Sequence, residues 1–231
     1  MKIMSFNTQQ CLNFIERRID FDIIASTIKA FDPDIVGLNE IRGVGVHPEY
    51  TAQTEKLAAL TGMPYYRCAP AIELPEGLYG NAFLSKIPIV SAEIVPIPDP
   101  EVRTFNGYYE SRCVLKVKLE NGLTVLVTHM GLNPDEQENA VKTVLSLAEN
   151  EKCVLMGDFN MTPDDATLAP IFKKMTDTAA LIDGEGLSFP SDKPDRKIDY
   201  VFVSKDVRVI SADVPPVIAS DHRPHLAEIE L

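Results

Sequence analysis

The chain has 231 residues, 45% of them hydrophobic and 24% charged, with a formal net charge of −12. That length and mix suit one soluble globular domain, expected to span residues 1–231, with a core large enough to need no disulfides. The acidity weighs against non-specific attraction to nucleic acid, which needs a basic stripe. No run approaches the roughly eighteen apolar residues of a membrane-spanning helix.

The start, MKIMSFNTQQ, turns polar too early for a signal peptide. Cys11, Cys68, Cys113 and Cys153 are scattered without CxxC spacing. They read as reduced, structural thiols, and the compartment as cytoplasmic.

In chain order, residues 2–7 predict a short strand. Residues 19–30 predict a helix, with Ile19, Ile23, Ile24, Thr27 and Ile28 on one face and Pro33 stopping it. A strand over 34–40 (DIVGLNE) and an amphipathic helix over 51–61, ending at Gly62, follow. Strands over 79–85 and 89–94 flank a Lys-Ile-Pro break that reads as a hairpin or a corner. Strands over 112–119 and 123–128 are joined through Asn121-Gly122, a strong hairpin signal. Pro134 opens a helix over 135–149 with acids in its first turn. Strands over 153–156, 198–203 and 226–230 complete the reading. Helices alternating with strands, together with hairpins, predict a layered α/β protein with mixed or antiparallel sheets.

Most of these strands end in a residue equipped for chemistry. The first ends in Asn7 and DIVGLNE ends in Glu40. LTVLVTHM carries His129, and CVLMGDFN ends in Asp158 and Asn160. Asp199 opens DYVFVS, and Asp221-His222 precedes the final strand. An extended backbone past Gly157 would put Asp158 and Asn160 on one side; GDFN equally suits an ordinary Asx turn. His129 reads either as a core histidine or as a site residue. Asp199 can pair with Arg196 or Lys197 instead of serving a site. His47 and His225 read as structural. Side chains at strand ends converge on one rim of a sheet, where loops leave room for a ligand.

In order, FNTQQ, GLNE, YGNAFLSK, VTHMGLN, MGDFN, KIDYVFVS and SDHRP resemble the endonuclease/exonuclease/phosphatase superfamily, from Asn7 to Pro224. The resemblance implies two β-sheets face to face with helices outside, a four-layer α/β/β/α sandwich. It implies Mg²⁺-dependent cleavage of a phosphoester, with Mn²⁺ as a possible substitute. Glu40 would be the main metal ligand, beside Asn7 and Asp221. Asp158 would orient or deprotonate the attacking water, and Asn160 would bond a phosphoryl oxygen. His222, paired with Asp199, would act as base or phosphate donor, and His129 would donate to the phosphate. Asn81 and Arg112 are candidate phosphate contacts, although Arg112 equally suits a strand salt bridge.

Two departures stand out. LNE replaces the usual LQE, so the side chain before Glu40 is one methylene shorter, and Asn7 is followed by Thr8-Gln9-Gln10 rather than an acid or His. The second departure leaves one or two metal ions open. The enzyme is expected to be a phosphodiesterase or nuclease-like hydrolase acting on nucleic acid, a nucleotide or a small phosphorylated metabolite, with a phosphomonoesterase of a small metabolite, inositol phosphate or lipid head group as the alternative. A silent binding domain on the same scaffold is the third reading. No protein partner is expected. The segment 96–109, carrying Arg103, Phe105, Tyr108 and Tyr109, reads as a stacking surface or as plain packing.

Overall fold

The computed structural model describes residues 1–48 and 51–231. Among the described residues twelve strands form two six-stranded sheets, and the order of each explains the architecture. The first sheet contains β1 (Lys2–Asn7), β2 (Ile35–Arg42), β3 (Tyr65–Leu74), β4 (Gly77–Ser85), β11 (Arg208–Asp213) and β12 (His225–Glu230), in the order β11-β12-β1-β2-β4-β3. The second contains β5 (Ile89–Pro96), β6 (Cys113–Leu119), β7 (Thr124–His129), β8 (Cys153–Asp158), β9 (Met175–Asp177) and β10 (Asp199–Ser204), in the order β5-β6-β7-β8-β10-β9.

At the centre of each sheet lies one parallel pair, β1/β2 and β7/β8, flanked by antiparallel neighbours. A parallel pair needs a crossover. Helix α1 (Phe21–Phe31) supplies it in the first sheet and α3 (Pro134–Leu147) in the second. The Lys86–Pro88 break is a corner, because β4 and β5 lie in different sheets. The Asn121-Gly122 turn joins β6 and β7 as a hairpin.

Strand alternation sorts the core into three bodies. Ile3, Ile35, Phe83, Val125, Val127, Val154, Met156, Val201 and Val203 fill the space between the sheets. Met4, Phe6, Val36, Leu38, Ala82 and Leu84 face outward, beneath α1 and α2 (Gln53–Thr61). Leu126, Leu155, Tyr200 and Phe202 face the other way, beneath α3 and the short α4 (Ala169–Lys174). The molecule is therefore the expected α/β/β/α sandwich.

Several boundaries differ from the sequence reading for local reasons. Helix α1 starts at Phe21 because the Asp20 carboxylate caps it, accepting from the amides of Asp22 and Ile23, while Ile19 bridges to Leu12. β2 runs on to Arg42, past a bulge between Leu38 and Ile41. Strand β3 escapes the sequence because Pro70 sits at a bulge in an edge strand. β11 escapes because it is an edge strand, bulged and mostly exposed. No helix among the described residues is long and apolar enough to cross a membrane. All four cysteines are free thiols, and three of them are buried.

Candidate active site

The alternation that fills the core also delivers the polar groups. Val125 and Val127 precede His129 on the inner face of β7, and Val154 and Met156 precede Asp158 on β8. On β10 the inner column reads Val203, Val201, Asp199 from the far end. Ladder register places His129 beside Asp158, and Asp158 beside Asp199. Opposite this row, Asn7 of β1 lies in register with Asn39 of β2. Each inner column thus changes from apolar to polar at the same end of the sandwich, and the two rows face each other.

Asp158 Oδ2 is the meeting point. The Asn7 amide donates to it at 3.0 Å and to Glu40 Oε1 at 3.1 Å. His222 Nε2 lies 3.6 Å away and His129 Nε2 3.5 Å away. His222 Nδ1 is 2.8 Å from Asp199 Oδ2, which also accepts from the Ser188 hydroxyl at 2.6 Å. The competing pairing of Asp199 with its basic neighbours does not occur, since Arg196 bonds Asp195 and Lys197 bonds Asp177.

Two expectations about backbone are corrected. The chain does not stay extended past Gly157: β8 ends at Asp158, Asn160 has φ +52°, and Asp158 Oδ1 accepts the Asn160 amide at 2.9 Å. The Asx turn and the candidate site are one structure. The Asn160 side chain then reaches Met130 O at 2.9 Å and His129 Nε2 at 3.1 Å. Glu40 does not end its strand either; it occupies the β2 bulge with φ +56°, which turns its carboxylate to the side of Asn7.

Gly157 is demanded by this geometry. Its φ is +143°, and a Cβ there would lie 1.8 Å from the Thr128 carbonyl oxygen. Only glycine lets β8 turn toward the first sheet so close to β7.

Arg112 makes the salt bridge offered for it and also meets His129. Its Nη1 is 2.6 Å from Glu110 and 3.0 Å from His129 Nδ1. Nitrogen donors thus face both ring nitrogens of His129, Arg112 at Nδ1 and Asn160 Nδ2 at Nε2. Asn81 is corrected more strongly. It is 2% exposed, its oxygen accepts from Asn39 at 2.8 Å, and its nitrogen donates to Cys113 O at 3.0 Å. That amide ties the sheets together rather than awaiting a phosphate. His225 is structural as expected, buried between Thr178 and the Asp199 carbonyl.

Burial sets the charge states. It raises the Glu40 carboxyl, with the Asn7 bond pulling down and Asp221 pushing up. Burial likewise raises Asp221. Asp158 is pushed up to about 7 by burial, partly offset by His222. For His222, burial acts downward, but the carboxylates of Asp199, Asp158 and Asp221 bring it up to about 10. His129 is held well below its ordinary value by burial and by Arg112.

The donors suit a hard divalent cation. Glu40 and Asp221 are carboxylates, burial and then the charge of Asp221 raising Glu40, and Asn7 adds a neutral amide beside Glu40. An oxygen-only set of this kind matches Mg²⁺ or Mn²⁺ rather than a thiophilic metal. Asp158, Asp199 and His222 form a second compact group, with ligand atoms within 4.8 Å of one another. There His222 Nδ1 is already engaged with Asp199, while Nε2 faces Asp158.

The sequence reading missed Asn39, whose only signal was the departure from LQE. It also missed Ser188, which no motif marks, and Tyr79, which is buried within reach of the charges of Glu40, Glu110 and Arg112.

The family model described as "Endonuclease/Exonuclease/phosphatase family" matches residues 4–222. Over its full length the chain is 26% identical to the uncharacterized protein YbhP of Escherichia coli K12, covering 96% of that protein. An endonuclease/exonuclease/phosphatase from Beutenbergia cavernae shares the fold with a TM-score of 0.82 at 23% identity, over all of this chain and 71% of that one. A mannosyl-6-phosphatase from Bacteroides thetaiotaomicron does so with a TM-score of 0.76 at 16% identity, over the whole of both chains.

Proposed function

The chain belongs to the endonuclease/exonuclease/phosphatase family, whose members are phosphoesterases that usually use a divalent metal, and on that premise we propose that it is a Mg²⁺-dependent phosphoester hydrolase. The observation that carries the reading is Asp158 Oδ2, approached from one side by the Asn7–Glu40 pair and from the other by two histidines.

In this reading Glu40, Asn7 and Asp221 would hold the metal, which would supply Lewis acidity to the phosphoryl group when bound. Asp158 orients the attacking water and takes its proton; a carboxyl near 7 is matched to that task at neutral pH. His222, kept cationic by Asp199, donates from Nε2 toward negative charge growing on the phosphoryl group. His129 and Asn160 add neutral donors beside it. Arg112 lies against His129 Nδ1 and, with Glu110, closes that flank. Asp158 and Asn160 leave a rigid strand end, which keeps the in-line geometry better than a mobile loop would.

Charge around the site favours a small substrate. The 97–112 segment brings Glu110 onto Arg112 and docks on the first turn of α3 through Tyr109–Asp135 and Glu110–Glu136 bonds. Duplex DNA carries about one negative charge per 1.7 Å, and an acidic wall within a chain of net charge −12 would repel it. A phosphomonoester or a short diester with an uncharged leaving group meets less repulsion.

The test uses metal-stripped protein with Mg²⁺, Mn²⁺ or EDTA. The panel is p-nitrophenyl phosphate, its bis-ester, sugar phosphates, inositol polyphosphates, sphingomyelin, RNA, and plasmid and abasic DNA. Metal-dependent turnover of the small esters, lost by about 10²-fold or more in Asp158→Ala, is expected. A mutant as active as the wild type refutes the assignment of Asp158, and preferred cleavage of plasmid refutes the small-substrate reading.

A further inference from the structure

We infer that Asn39 is a positioning residue that fixes the separation between the metal-holding carboxylate on the first sheet and the water-orienting carboxylate on the second. The inference rests on the phosphoesterase reading for its consequence, but not for its geometry.

Asn39 is fully buried, and its side-chain amide spans the sandwich. Nδ2 donates to Asn81 Oδ1 on β4 and to the Thr128 carbonyl on β7, each at 2.8 Å. Oδ1 accepts the backbone amide of Asp158, on β8, at 3.0 Å. Both N–H groups are thus used, and the oxygen takes the amide of the very residue proposed to handle the water. In sequence Asn39 directly precedes Glu40, so one side chain grips Asp158 while its own backbone carries Glu40 into the bulge.

The gap being spanned is short: an asparagine side chain on β2 reaches backbone groups of β7 and β8. Gly37, two residues before Asn39 on the same inner column, faces Met156 of β8, whose flexible Sδ would lie 2.8 Å from a Cβ there. A Cβ on Gly157 would also come within 3.3 Å of Asn39 Oδ1. Asparagine is the amide short enough to bond across such a gap; glutamine, one methylene longer, cannot make all three contacts without pushing β8 away. The companions Asn7 and Asn81 cross at the same level, to Asp158 and to Cys113 O. Asn39 differs from them in touching the backbone that sets where Asp158 starts. The shortened side chain in LNE and the glycines at 37 and 157 are therefore one device.

The experiment compares wild type with Asn39→Gln and Asn39→Ser, the latter leaving space for water to bond the three orphaned groups if the former misfolds. Two readouts are taken on protein shown to be folded by a cooperative melt. The first is amide hydrogen exchange at Asp158 against Leu155 on the same strand, in protein without added metal. The expected result is a loss of protection of about tenfold at Asp158 with Leu155 unchanged. The second is steady-state kinetics, with kcat falling by about 100-fold and KM nearly constant, because a displacement near an ångström damages alignment rather than binding. Unchanged protection at Asp158 overturns the inference, as does wild-type kcat in a variant that has lost it. If the wild type turns over no phosphoester, the functional reading fails, and the exchange ratio alone still decides whether Asn39 positions Asp158.

Discussion

Replacing Gly157 by alanine is the sharpest perturbation of this site that adds only one carbon. The new Cβ would lie 1.8 Å from Thr128 O, whereas real Cβ contacts essentially never fall below 3.0 Å, so β7 or β8 must move by more than an ångström. A non-glycine residue at φ +143° adds about 1–3 kcal/mol of backbone strain. The movement threatens two buried hydrogen bonds that flank the position, Met130 N to Asp158 O at 2.9 Å and Asp158 N to Asn39 Oδ1 at 3.0 Å. Each costs about 1 kcal/mol if lost, and more if left unpaired. The expected destabilisation is about 3–6 kcal/mol, a large fraction of an ordinary domain's stability. Urea unfolding followed by far-UV circular dichroism measures it, with turnover assayed on the folded fraction. Turnover is expected to fall with stability, because Asp158 is the next residue. A stability change below about 1 kcal/mol, with normal turnover, would refute the claim that β8 can turn into the site only at a glycine.

Two further outcomes follow from charge and packing. His222 is raised from 6.5 to about 10 in the folded protein, because the surrounding carboxylates outweigh burial. Its protonation therefore favours folding; the contribution is complete below pH 6.5 and disappears as pH rises through 10. In EDTA, wild-type stability should fall over that window more steeply than that of His222→Gln, and parallel profiles would contradict the charge state assigned to the Asp199 pair. Phe159, between Asp158 and Asn160, is fully buried, with ring centroids of Tyr200 and Phe202 at 5.0 and 5.6 Å. Phe159→Ala should cost about 3–5 kcal/mol by thermal or urea unfolding; a loss under about 1 kcal/mol would mean that this anchor does not hold the turn.

How far the site was legible depends on the range of the interactions involved. Asp158, Asp199 and His129 were visible because a strand that runs apolar into a charged residue breaks its own pattern within a few positions. Glu40 and Asn160 were recognised as residues but not as conformations. Both adopt positive φ, and neither side chain announces it. Asn81 was misread as a phosphate contact because a buried amide bonding across a sandwich has the same local sequence as one facing a ligand. Strands β3 and β11 were missed since edge strands with bulges lose the period of two on which strand recognition rests.

By itself the sequence determined the inner and outer faces of the central strands, the hairpin at Asn121-Gly122, the break at Pro88 and the chemical types that gather at strand ends. Only the tertiary structure decided that these ends lie on one rim, and that the row His129–Asp158–Asp199 faces Asn7 and Asn39 across the sandwich. Alternation is a property of neighbours along one strand. The bond from Asn39 to the Asp158 amide joins residues 119 positions apart. Its existence depends on how closely two sheets pack, which is set jointly by many inner side chains and two missing Cβ atoms rather than by any one segment of chain.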